Sequence, residues 1–141
     1  MNTNQNKANT KPSKIGQYLF ISMLVIQALF ALFISFSSLI NPKMAIETGF
    51  KIIYDSNFRI LTVVIGMQVL FSACIAIMAI VWTRRKSIYG IYLGTAIGLY
   101  LTSFGIVAYF ILGQTDGLLV DSSRGILTLI FAYLANKEIK K

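Results

Sequence analysis

The sequence contains no histidine, one cysteine and two prolines among 141 residues, and only 13% of the chain is charged. Each shortage excludes something. Without histidine there is no bis-histidine haem, no imidazole metal site and no His-activated nucleophile. With one thiol, Cys74, neither an intramolecular disulfide nor a dithiol–disulfide exchanger can form. A lone thiol in an apolar block reads as an inert packing residue. Acid is scarce as well: five Asp and Glu stand against 13 Lys and Arg, for a net charge of +8. No recognisable catalytic constellation remains. The chain reads as non-enzymatic, with no cofactor and no metal site expected.

What is present is apolar: 56% of residues are hydrophobic and the mean hydropathy is +0.71. A soluble domain of this length carries about 25% charged residues. The apolar residues are gathered into long blocks rather than spread with a period, which is the pattern of membrane spans. Four such blocks predict spans at about 15–40, 58–82, 88–112 and 117–136. The first has 26 residues, and at ~1.5 Å per residue it reaches ~39 Å, enough for a ~30 Å hydrocarbon core with some tilt. It is too long for a signal-peptide core of about 7–15 residues. Residues 1–14 form a polar, basic tail without acid or aromatic side chains, expected to be disordered. "NPK" at 41–43 stops the first block. Residues 43–57 mix charged and apolar side chains, too polar to span, and suit a short helix lying in the interface. Residues 137–141 form a second basic tail. The fold class expected is an all-α integral membrane protein, an antiparallel four-transmembrane-helix bundle over residues 15–136.

Charge placement orients it. Lys7, Lys11, Lys14, Arg84, Arg85, Lys86, Lys137, Lys140 and Lys141 are nine of the 13 basic residues. With four spans they all fall on one side, which the positive-inside rule makes the cytoplasm. The remaining Lys43, Lys51, Arg59 and Arg124 share the other side with four of the five acids. This distribution reads as topology rather than as a nucleic-acid surface, and no nucleic-acid partner is expected. The expected partner is the lipid bilayer of a cell membrane such as the bacterial inner membrane, with both termini cytoplasmic. Trp82, Tyr89 and Tyr133 fall near the inner boundary and Tyr54 and Phe58 near the outer one, as an aromatic belt requires.

The outer side carries a repeated motif. "DSNFRILT" from Asp55 and "DSSRGILT" from Asp121 align without a gap at an offset of 66 residues. In the second copy, Ile126–Ala135 alone is too short to span, so the helix must recruit Asp121 and Arg124 into its run. Three residues apart, the two share a face and can pair. Two readings stand. In one, Asp121 and Arg124 are an intramembrane pair facing the bundle interior. In the other, which weighs more at this point, Asp121 or Ser122 caps a shorter helix and Arg124 snorkels outward. Arg59 reads mainly as an interfacial residue beside Asp55. Its functional reading is an outward-facing polar pocket of Arg59, Asp121 and Arg124, with Asp55 close by, able to hold an anionic group.

Gln27 and Gln68 each lie near the middle of a span, at depths ~5 Å apart if their helices are antiparallel, and read as interhelical glue. Gly90, Gly94 and Gly98, followed by Thr102, make a small-residue stripe that permits close helix approach. Its partner is either Ser72, Ala73, Ala76 and Ala79 of the same chain, or another copy or another membrane protein.

Four spans in this length, "NP" after the first, Arg59 and Gly66 in the second, "RR" at Arg84 and Arg85, and "DG" at Asp116 and Gly117 resemble the DoxX-like small membrane proteins. The branch resembled is described only as domains of unknown function. The resemblance covers residues 15–135 and implies a four-helix bundle. That branch often carries an arginine in the third helix and an acid inside the last; here the third helix has neither charge, and the last has "DSSRG" at its mouth. The activity expected is that of a non-enzymatic accessory or assembly component. The alternatives are a small transporter or channel subunit using the Arg59/Asp121/Arg124 pocket and, from the family name, a quinone-linked oxidoreductase accessory, for which no cofactor ligands are present.

Overall fold

A computed structural model describes residues 14–45, 47, 58–113, 115 and 117–140. Among these the regular structure is entirely helical. The long helices are α1 (Ile15–Ile40), α3 (Phe58–Arg84), α4 (Ile88–Leu112) and α5 (Ser123–Ile139), with a short α2 (Pro42–Ala45) and a six-residue π-helical turn, Gly117–Ser122, leading into α5. Four stretches are long and apolar enough to cross a membrane: Ile15–Ile40, Arg59–Arg84, Ile88–Ile111 and Leu118–Ile139. Helix continues to Ile139, so most of the expected basic tail is the last turn of α5. Residues 1–13 of the expected tail 1–14, and residues 46 and 48–57 of the expected interfacial segment 43–57, lie outside the described residues; α2 covers the start of that segment.

Local chemistry sets the boundaries. The Asn41 N–H closes α1 on the Ser37 carbonyl at 2.9 Å, and the Asn41 Oδ1 accepts the Met44 N–H at 3.2 Å. Asn41 therefore ends one helix and caps the next, with Pro42 at the first helical position, where a missing N–H costs nothing. Between α3 and α4, Lys86 takes a left-handed φ of 57°. Its N–H donates to the Thr83 carbonyl and the Ser87 N–H to the Trp82 carbonyl, each at 2.9 Å. These are the two bonds of a Schellman turn. Gly113, with φ 65°, ends α4 by donating to the Tyr109 carbonyl at 2.9 Å.

α1 packs on α3 and on α5, α4 packs on the same two, and α3 and α5 lie diagonally. Phe20 and Leu24 fill the middle with no exposure, surrounded by Ala28, Ala76, Ala79, Ile91, Ile97, Ala132 and Ala135. Most of this core is alanine, so the helices approach closely while the large side chains point away. Phe33 and Phe71 are each 68% exposed, Phe110 79% and Ile111 75%. Such a surface is apolar far beyond the few hundred Å² a soluble monomer exposes. Cys74 belongs to it: the thiol is exposed, not packed in the core.

Candidate functional site

Asp121 and Arg124 lie across the junction between the π turn and α5. The Arg124 Nη1 donates to the Asp121 Oδ1 at 3.3 Å, with side-chain exposures of 17% for Arg124 and 26% for Asp121. The Arg124 guanidinium also sits 4.6 Å from the centroid of the Phe30 ring on α1, within cation–π range. The capping reading does not hold. Ser122 is itself helical, at φ −66° and ψ −40°, and makes no side-chain cap. Its hydroxyl donates across to the Thr102 carbonyl of α4 at 3.2 Å. The chain upstream keeps winding as a π turn, so Asp121 and Arg124 are inside a helical run, with Arg124 ~9 Å from the Leu118 end. π turns are uncommon and concentrate at functional sites.

One turn further along the same seam, the Gln27 amide nitrogen of α1 donates to the Thr128 hydroxyl of α5. Thr128, fully buried, donates in turn to the Arg124 carbonyl at 2.7 Å. Asp121, Arg124, Thr128 and Gln27 thus form a polar line between α1 and α5. It is not saturated: Gln27 Oε1 and Arg124 Nε are buried without a hydrogen-bond partner.

The other expected site residues are not gathered here. Arg59 is exposed near the start of α3, diagonally opposite α5. Asp55 lies outside the described residues. Gln68 does not meet Gln27; it is exposed on α3. Depth along the axis brought those two amides together on paper, but rotation about the axis turns Gln27 toward α5 and Gln68 away from the bundle.

The glycine stripe is occupied from within the chain. A Cβ on Gly90 would run into the Thr83 backbone nitrogen, one on Gly94 into the Phe20 ring, and one on Gly98 would meet the Leu129 side chain at 3.0 Å. The stripe therefore seats α3, the central phenylalanine of α1, and α5 in succession, and Ala79 of the expected intrachain mates does face Gly90. Its counterpart on α5 is Gly125, whose Cβ would meet the Gly98 carbonyl at 2.6 Å. Gly125, Thr128, Ala132 and Ala135 are the buried residues of α5; their three- and four-residue spacing was a readable signal.

A second constellation went unforeseen. The Glu138 carboxylate accepts the Gly16 and Gln17 N–H groups, each at 2.9 Å, capping α1 from another helix. Lys14, at the N-cap position, provides no side-chain cap. The Gln17 side chain then donates to the Thr83 carbonyl at 2.7 Å, so one residue ties α1 to both α3 and α5. The available signal was that Glu138 is the only acid among the nine basic residues of its side.

The chain matches no family model, no curated protein and no solved structure, and the DoxX-like resemblance rests on its quoted residues alone.

Proposed function

We propose that the chain is an integral membrane protein, a bundle of four antiparallel spans with both termini cytoplasmic, that acts as a non-enzymatic accessory or assembly component. Membrane placement is supported by four apolar helices whose largest side chains face outward. Antiparallel order is supported by contacts that run in opposite sequence sense: Gln17 with Thr83 and Ser35 with Gly66, and Gly16 and Gln17 with Glu138 but Gln27 with Thr128. The observation that carries the accessory reading is the filled centre. Phe20, with no exposure, lies against Gly94 on the bundle axis, so the working surface is the outside of the helices, where lipid and other membrane proteins are met. Photo-crosslinkers placed at Phe33 and Phe110 should capture one reproducible set of membrane proteins, and one at Leu24 none. Lipid adducts alone at both outward positions would remove the accessory reading.

One observation favours a second reading, a transporter or channel subunit with a polar site open to the outer side. The Asp121–Arg124 pair and the unpartnered Gln27 Oε1 and Arg124 Nε are polar groups held inside an apolar span. Ionisable groups are costly there and, where they face a bundle interior, line ion and substrate paths. Arg59 would act in this reading only as an attracting charge at the mouth. Reconstituted vesicles in which ion or solute flux is unchanged by Asp121→Asn would remove it.

A further inference from the structure

Gln68 lies ~5 Å from the midpoint of the Arg59–Arg84 span, so its amide is ~10 Å inside the boundary of a ~30 Å hydrocarbon core. It is exposed and has no hydrogen bond among the described residues. Water and lipid headgroups are both out of reach at that depth, and a primary amide in hydrocarbon leaves two donors and an acceptor unsatisfied. The amide is flanked on its own face by Val64, 55% exposed, and Phe71, 68% exposed, one turn to either side, with Met67 at 57% beside it. A polar group at the centre of an apolar helix face, turned away from its own bundle, is the arrangement that joins one transmembrane helix to another.

We propose that this face of α3 is the interface with a second copy of the chain, the two Gln68 amides bonding each other across a two-fold axis. An amide is both donor and acceptor, so it is its own complement, which is what an isologous contact requires. The glycine stripe is not available for this contact, since α1, α3 and α5 of the same chain fill it. The inference rests on the membrane placement proposed above and names one partner for the outward surface.

The test uses the full chain in native membranes, with Cys74→Ser as background. Val64→Cys and Phe71→Cys keep Gln68 and should each give, on oxidation, a disulfide-linked species of twice the 15.7 kDa chain mass. Ile130→Cys, on the diagonal helix α5, should give none. Adding Gln68→Leu should weaken self-association roughly 3- to 30-fold, the range of one interhelical hydrogen bond in a membrane, and lower the linked fraction accordingly. The unsubstituted protein should run as a dimer by native mass measurement in mild detergent, a readout that does not depend on the cysteine variants folding. A monomeric native mass, linking equal at Ile130 and Phe71, links only to a different protein, or indifference to Gln68→Leu would each overturn the second copy as occupant. Release of the protein by alkaline carbonate would instead overturn the membrane placement itself.

Discussion

At the scale of single residues, the deciding feature is where charge is left when its partner is removed. Asp121 and Arg124 are mostly covered and paired. Deleting one charge leaves the other buried, which costs about 1–3 kcal/mol for a partly accessible group; deleting both removes the problem along with the pair. Asp121→Asn and Arg124→Gln should each lower detergent melting temperature, and the double variant should lose clearly less than the two losses added. Additive losses would mean that the groups do not interact. Arg124 should cost more than Asp121, because its guanidinium also lies over Phe30. Phe30→Leu should then weaken the wild type but change little in an Arg124→Gln background. Glu138 is the second residue of this kind. Glu138→Ala uncaps two backbone N–H groups of α1 at once, a change worth about 1–2 kcal/mol. Hydrogen exchange should rise at Gly16 and Gln17 first, and an exchange pattern unchanged there would show that the carboxylate does not hold them. The i,i+3 spacing made the Asp121–Arg124 pair legible, whereas Glu138 and Gly16, 122 positions apart, could not be joined from spacing.

At the scale of the helices, hydropathy gave α1 and α4 their bounds, since both end where the apolar run ends: at Asn41–Pro42 for α1, at Gly113 for α4. At the fourth span, expected over 117–136, the helical run begins at Gly117 as a π turn, a geometry that apolarity does not signal, and continues in α5 to Ile139, three residues past the expected end. Rotation about the axis was the least legible quantity, which is why Gln27 and Gln68 were paired and Cys74 was buried in the reading from sequence. The glycine stripe was legible as close packing but not as to partner, and its three members are not equivalent. At Gly90 the added Cβ meets backbone atoms of Thr83, which cannot yield; at Gly94 it meets the far end of the Phe20 side chain, which clears it by shifting as a whole rather than by turning its ring. Gly90→Ala should therefore cost about 3 kcal/mol or more, and Gly94→Ala about 1–2 kcal/mol. The Gly94→Ala loss should be partly restored by Phe20→Leu, and the Gly90→Ala loss should not. Melting of the four variants in one detergent settles it; equal losses at the two glycines would mean that neither contact is as close as it stands here.

At the scale of the whole molecule, the side on which each end of the bundle lies decides what every polar group can meet. Among the described residues, Lys14, Arg84, Arg85, Lys86, Lys137 and Lys140 gather at the end where Glu138 caps α1 and Gln17 reaches Thr83. The aromatic pair Trp82 and Tyr89, ring centres 6.0 Å apart, lies at that same end. The opposite end carries the Asp121–Arg124 pair and α2. Lysine and arginine are retained in the cytoplasm during insertion, by about the same rule whatever the helices later do. A reporter fused after residue 141 should therefore be active only in its cytoplasmic form, and one inserted at residue 117 only in its external form. Replacing Arg84, Arg85 and Lys86 together by Gln should leave the orientation unchanged, because the basic tails at either end still hold their sides, whereas neutralising the tails as well should give mixed insertion. An external C-terminus in the unsubstituted chain would turn the molecule over. The Glu138 cap would then face the outside, Asp121 and Arg124 would open to the cytoplasm, and the transport reading would change direction with them. The Gln68 interface would survive unchanged, since mid-membrane depth is the same from both sides.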